Sequence, residues 1–275
     1  MVELENINYS IGNNKIIQNI NIKFEDEKIT YLIGKNGSGK TTLLEIIDML
    51  VKPDNGELII DDKSINNIKE KELVNIRKNI GLVFQNPEEQ FFCETVKKEL
   101  EFGMNIFKYD KKTREKRIKD SLTMVGLPEE YLNRNPMSLS RSDMRKLSIA
   151  CVLVLNPKII LLDEPTINLD DLNKKVLIDL LKRLKRKYHK TIIITSHDMN
   201  FILKTADYIY VINNGEKVLE GNKYDVFKNE ELLKYNILPP KIIEFSNIVR
   251  NTKNIKLEYR DDINDLMKDI YRHAK

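Results

Sequence analysis

The chain has two cysteines, three histidines and, across 275 residues, only ten glycines and eight prolines. So little Gly and Pro excludes a collagenous or linker-dominated protein. Cys93 and Cys151 lie in different segments, with no CxxC and no His-rich neighbour. Neither a disulfide framework nor a zinc site is therefore indicated, and each thiol reads as buried or idle. Long apolar runs are missing as well. The longest, 149–155, stops at Asn156-Pro157, far short of the roughly 20 residues that cross a bilayer. The start, Met1-Val2-Glu3-Leu4-Glu5-Asn6, lacks the basic and apolar regions of a secretory signal, which points to the cytoplasm. A large charge excess is absent too: 46 Lys+Arg against 42 Asp+Glu leave +4, a small surplus for a nucleic-acid binder. The basic runs at 111–117 and 182–187 read as solvated helix faces rather than nucleic-acid patches, since Glu115 and Asp120 interrupt or follow the first. What is present is 41% apolar residues, enough for one large or two modest hydrophobic cores.

The pattern along the chain is that of an α/β protein. The first 33 residues read as short strands with turns at 12–14 and 25–27, the last being the β-rich run 29–33. Apolar residues at 43, 44, 46, 47 and 50 then have helical spacing, and after the turn signal 52–56 a strand resumes at 57–60. From 88 to 155 the composition is helical. The runs 159–162 and 191–195 read as buried parallel strands separated by a helix around 174–188. Pro239-Pro240 breaks the chain, after which Ile242, Phe245 and Val249, and then Ile263, Leu266, Met267 and Ile270, mark two amphipathic helices. No internal repeat is found.

Three elements carry chemistry. Gly34-Lys35-Asn36-Gly37-Ser38-Gly39-Lys40-Thr41 fits G-x-x-x-x-G-K-[ST] and sits after a strand and at the opening of a helix. Its glycines let backbone N–H groups converge on phosphates, Lys40 reaches the β- and γ-phosphates, and the Thr41 hydroxyl suits Mg²⁺. The run 159–162 ends in Asp163-Glu164, at the strand end where an α/β sheet meets its ligand. Asp163 suits a metal ligand and Glu164 a general base. Thr195-Ser196-His197-Asp198 follows the strand 191–195. If that strand is parallel to the others, His197 reaches the same sheet edge and can hold a γ-phosphate or an attacking water. His189 and His273 read as ordinary surface or core residues.

Together with Gln85 in Gly81-Leu82-Val83-Phe84-Gln85-Asn86-Pro87, and in the order phosphate loop, Gln85, signature, acid pair, Leu169-Asp170, His197, these elements resemble the ATP-binding cassette (ABC) ATPases. The resemblance runs from about residue 2 to 221. It implies a P-loop α/β fold with an N-terminal β-layer, a helical subdomain at about 86–155, and ATP and Mg²⁺ as cofactors. Carried over, Gly34, Asn36, Gly37, Ser38, Gly39, Lys40, Thr41 and Thr42 would hold nucleotide, and Thr41, Gln85 and Asp163 the metal. Gln85 would also relay to a transmembrane partner, and Asp170 would lie at the seam of a head-to-tail dimer. A narrower resemblance is to the energy-coupling-factor ATPases of vitamin and transition-metal uptake. It rests on Gln85-Asn86-Pro87-Glu88-Glu89-Gln90-Phe91-Phe92, Thr95-Val96, Glu101-Phe102-Gly103 and a tail, 222–275, similar to that group's dimerisation extension. It implies a second ATPase, a transmembrane coupling subunit and a substrate-binding membrane subunit, no nucleic acid, and a peripheral place on the cytoplasmic face of the membrane. Phe91-Phe92 would line the groove for a coupling helix.

Two departures stand out. The family places an adenine-stacking aromatic where this chain has Ile11; the nearest aromatic is Tyr9, expected on the same strand face. The family signature Leu-Ser-Gly-Gly-Gln is here Leu139-Ser140-Arg141-Ser142-Asp143. Ser140 survives, but both glycines are gone and Asp143 adds negative charge. Either the signature is impaired, or Arg141 reaches the γ-phosphate in place of the lost contacts. Rival readings are a soluble ABC ATPase acting on nucleic acid or ribosomes, and a regulatory subunit of low activity.

Overall fold

The computed structural model describes residues 1–253 and 257–273. In chain order the strands and helices are β1 (Val2–Ile11), β2 (Asn14–Phe24), β3 (Ile29–Ile33), α1 (Lys40–Ile47), β4 (Asn55–Ile60), β5 (Lys63–Ser64), α2 (Glu70–Lys78), β6 (Ile80–Val83), α3 (Val96–Ile106), α4 (Lys111–Val125) and α5 (Arg141–Leu153). There follow β7 (Ile159–Asp163), α6 (Asp171–Tyr188), β8 (Thr191–Thr195), α7 (Met199–Thr205), β9 (Tyr208–Asn213), β10 (Glu216–Asn222), α8 (Lys223–Phe227), α9 (Lys241–Lys253) and α10 (Ile263–His273).

Two sheets organise the molecule, one of order β2-β1-β4-β5 and one of order β10-β9-β3-β8-β7-β6. In the larger sheet β9, β3, β8, β7 and β6 are parallel, and β10 returns antiparallel. The unbroken apolar runs of β3, β7 and β8 have a simple cause. Successive side chains alternate between faces, and here both faces are covered. Leu32, Leu161 and Ile193 point into a core shared with α1 and the smaller sheet, where Leu43, Leu44, Ile46 and Ile47 meet Leu4, Ile20 and Phe24. Tyr31, Ile33, Ile160, Leu162, Ile192 and Ile194 point to the opposite face, into a core shared with Leu100, Leu122, Leu147, Leu181 and Phe201. α1 is therefore sandwiched between sheets, which fixes the phosphate loop at its start.

The helices of 86–155 do not build a separate core; Val96, Leu122 and Leu147 join the sheet's second core. The tail begins the same way, with Phe227, Leu232 and Ile243 buried in that core. The basic run of α4 is partly structural: Arg117 donates to the Val154 carbonyl at 2.9 Å, and its guanidinium lies 4.7 Å from the Tyr109 ring centre. Both cysteines are free thiols, and burial pushes the Cys151 thiol well above its ordinary pKa, which makes it unreactive. No described helix is long and apolar enough to cross a membrane.

The parallel ladder has one consequence for function. Asp163 is level with Thr195, Val83 with Leu162, and Leu32 with Thr195. The residues that follow β3, β6, β7 and β8 therefore emerge along one sheet edge. These are the glycine loop, Phe84-Gln85, Glu164 and Ser196-His197.

Candidate functional site

That edge opens into a cavity of about 450 Å³ lined by Asn36, Gly37, Gly39, Lys40, Thr41, Thr42, Gln85, Asp163, Glu164 and His197, together with Ile11, Ile16 and Ile167. Gly34 and Ser38 are not among its lining residues. A Cβ at Gly34 would fall 2.0 Å from the Ile212 carbonyl oxygen, so only glycine fits between the loop and β9. Gly39, at φ +100, turns the loop into α1 in a conformation that favours glycine.

The Lys40 ammonium is folded back onto the loop, donating to the carbonyls of Gly34 and Lys35 at 2.9 Å each. Its residue is 6% exposed, and burial holds its pKa below the ordinary lysine value against the opposing pull of Glu164 and Asp163. A buried cation bound only to neutral carbonyls, beside the N-terminus of α1, is a site for anionic phosphate. Thr41 donates from its hydroxyl to Asp163 Oδ2 at 2.9 Å. The Thr195 hydroxyl bonds the other carboxylate oxygen, Oδ1, and its Oγ1 also accepts from the Glu164 N–H at 3.0 Å. A hydroxyl, a carboxylate and the Gln85 amide are hard oxygen donors, fewer than a protein cage would need. Magnesium bound through one carboxylate, substrate phosphates and water suits such a set. Among the described residues no cluster of three or more His, Cys, Asp or Glu exists to hold a metal without such help.

Glu164 sits at φ +46, a strained setting for a non-glycine residue. It is held there by the Thr195 hydroxyl and by the Thr195 carbonyl, which accepts its N–H at 3.2 Å. Its Oε2 accepts the His197 N–H at 3.2 Å. Its Oε1 lies 3.2 Å from His197 Nε2 and is buried without an aligned hydrogen bond. Burial pushes the Glu164 carboxyl up to about 7, against the His197 N–H and Lys40, which pull it down. Burial, then Lys40, holds the His197 imidazole below its ordinary value, so it is neutral at pH 7. A carboxyl titrating near neutrality beside a neutral imidazole can accept a proton from water.

One expected contact lies elsewhere. Tyr9 does not line the cavity; it packs against the core shared by α1 and the smaller sheet. The reason is a register shift between Tyr9 and Ser10 in the β1–β2 ladder, which breaks the two-residue alternation that would put Tyr9 and Ile11 on one face. Ile11, 60% exposed, faces the cavity with Ile16 instead. Ser140 is also outside the cavity, capping α5 by accepting the Asp143 N–H at 3.1 Å. Asp170 caps α6 through Asn173. Of the residues not foreseen, Thr195 could have been noticed as the polar end of an apolar strand beside His197. Ile16 and Ile167 carry no sequence signal.

A model of the family described as ABC transporter matches residues 17–167. The energy-coupling factor transporter ATP-binding protein EcfA2 of Streptococcus agalactiae is 38% identical over 252 residues, 89% of this chain and 90% of that one. The chain belongs to the energy-coupling factor ATP-binding proteins, a group of ABC ATPases. Among solved structures, cbiO1 from Clostridium perfringens, described as part of the ABC transporter complex cbiONQ, superposes with a TM-score of 0.75 at 30% identity, covering 89% of this chain and 97% of its own. The dimeric ATP-binding cassette MJ0796, bound to ADP and Pi in a post-hydrolysis state, superposes with a TM-score of 0.74 at 33% identity, over 81% of this chain and 99% of its own. The chain thus has the ABC ATPase fold.

The raised Glu164 carboxyl sets a pH dependence for this ATPase. A folded pKa of about 7 against an ordinary 4.5 means the native state holds this proton more tightly than the unfolded chain. The resulting penalty is absent below pH 4.5, grows up to about pH 7 and is constant above. Glu164→Gln is expected to stabilise the nucleotide-free protein by about 3 kcal/mol at pH 8 and by much less at pH 5. Urea unfolding at the two pH values measures this, and equal effects at both would contradict it.

Proposed function

We propose that this chain is the ATP-hydrolysing subunit of an energy-coupling-factor importer, driving uptake of a vitamin or transition-metal ion through separate membrane subunits. The observation that carries this reading is the convergence of Lys40, Thr41, Asp163, Glu164, His197 and Gln85 on one cavity, in a chain 38% identical to EcfA2. In the reaction, Lys40 releases its two carbonyls to bind the β- and γ-phosphates. Thr41, Asp163 and Gln85 would hold Mg²⁺, which when bound neutralises charge developing on the phosphates. Glu164 takes the proton of the attacking water through its Oε1, and His197 orients that water against the γ-phosphate. The segment between Lys40 and Leu139 holds α2, α3 and α4 and no long coiled coil, which favours transport over a ribosome-directed role.

For the coupling subunit we propose a docking surface that uses Phe92 rather than both phenylalanines. Phe91 is 7% exposed and belongs to the core. Phe92, 65% exposed, instead pairs edge-on with Phe102 of α3 at 4.5 Å. With Ile106, 61% exposed, this pair offers an apolar seat beside the Gln85 loop. Replacing Phe92 and Phe102 with Ser is expected to abolish uptake while Mg-ATP still stabilises the protein. Unchanged uptake would refute this docking surface.

The partner ATPase is proposed to be a different chain. Asp143 is tied by Ser140 at 2.9 Å and by Lys146 at 3.4 Å, whereas Arg141 is exposed at the first turn of α5. In a head-to-tail pair this altered signature serves the partner's nucleotide, and the site on Lys40 and Glu164 is completed by the partner's signature. The tail reads as a dimerisation extension, supported by exposed Phe245, Ile248, Ile263, Met267 and Tyr271 on α9 and α10. The isolated chain should hydrolyse ATP slowly, Glu164→Gln should stop transport more completely than the same change in the partner, and glycine at 141 and 142 should raise activity. A brisk ATPase from the isolated chain that Arg141→Gly slows would show instead that Arg141 replaces the glycines.

A further inference from the structure

Among the described residues Arg145 is the largest fully buried side chain, 1% exposed on the second turn of α5. Arginine is seldom buried without a carboxylate, and among the described residues none lies within ion-pair distance of it. Its partners are backbone. Nη1 donates to the Phe84 carbonyl at 2.7 Å and Nη2 to the Gln85 carbonyl, while Nε has no partner. The planar fork therefore grips two consecutive peptides at the end of β6, a two-point contact that lysine cannot make.

A close approach and two hydrogen bonds brace the joint. Gly81 lets β6 lie against α5 so closely that a Cβ there would meet Val152 Cγ1 at 2.4 Å. Gln90, five residues beyond Gln85, donates to the Ser148 carbonyl at 3.4 Å, and the Ser148 hydroxyl returns to the Arg145 carbonyl at 2.8 Å. One end of this assembly is Ser140, the cap of α5 in the altered signature; the other is Gln85 in the nucleotide cavity.

We propose that Arg145 is a positioning residue that locks the backbone of Gln85 to α5, so that the signature helix and the Gln85 loop move as one body and the setting of α5 decides whether Gln85 reaches the metal. This rests on the reading of Gln85 as a Mg²⁺ contact. Because Lys40 and the glycine loop hold the nucleotide independently of this joint, disturbing Arg145 leaves metal-free ATP binding intact and weakens only the metal's contribution.

The test uses the full chain, ATP and Mg²⁺, with thermal stabilisation as the readout. Arg145→Lys keeps the charge and loses the fork; Arg145→Met removes both and shows whether the fold survives without the cation. In Arg145→Lys, stabilisation by ATP with EDTA should match wild type, while the Mg²⁺ concentration for half-maximal stabilisation should rise about tenfold. Hydrogen exchange across 84–90 should quicken, with β7 and β8 unchanged. Gln85→Ala should shift the Mg²⁺ midpoint similarly, and the double variant should shift it no further, since both act through one contact. A lowered melting temperature with an unmoved Mg²⁺ midpoint, or additive shifts in the double variant, would show that Arg145 is only structural. If Gln85→Ala alone leaves the midpoint unmoved, the metal role of Gln85 fails, and with it the premise of the proposal.

Discussion

The structure depends on placing one ammonium group where water cannot fully solvate it. Lys40 is held by two loop carbonyls rather than by an acid, so its charge remains unneutralised inside the protein. That arrangement is only possible because the loop turns sharply at Gly34 against Ile212 and because α1 is pinned between two sheets. A neutralising carboxylate in contact would make the cavity a salt bridge, closed to phosphate. Asp163 and Glu164 are near enough to favour the charge of Lys40, yet both Asp163 oxygens and Glu164 Oε2 are engaged by Thr41, Thr195 and the His197 N–H. The polar web at the end of β7 and β8 thus keeps the acids and the lysine apart until a phosphate comes between them.

Much of this was legible in the residues alone. The glycine loop is read by its spacing, and the acid pair by its position at the end of an apolar run. His197 is placed by the inference that β8 runs parallel to β3 and β7, which the ladder bears out. Other features were hidden because they depend on irregularity or on three-dimensional packing. The bulge that turns Tyr9 away from Ile11 leaves no mark on the alternation of β1. Phe91 and Phe92 look equivalent in sequence, but one is buried and the other pairs with a residue on α3. Arg145 follows the altered signature with nothing in the sequence to mark it as buried; only the structure shows its fork on the Phe84 and Gln85 carbonyls. The strands β6, β9 and β10 were not anticipated. β6 is only four residues long, and β10 alternates weakly because little of it is buried.

The same contrast separates the two halves of the catalytic apparatus. The half built on Lys40 and Glu164 is braced by Thr41, Thr195 and the His197 N–H. The signature half is altered in ways that charge makes legible: Asp143 is tied down by Ser140 and Lys146, and Arg141 is left facing solvent. Under the heterodimer proposed above, the half that the altered signature lacks comes from a partner whose signature is intact.

All of this stands on phosphate displacing the carbonyls that hold Lys40, and the most direct measurement is the melting temperature with and without saturating Mg-ATP in the wild type and in Lys40→Ala. At a hundredfold excess over its dissociation constant, a ligand adds about 2.7 kcal/mol of stability, which is several degrees for a protein of this size. The wild type should show that rise and Lys40→Ala should show none. An equal rise in the variant would mean that nucleotide binds elsewhere.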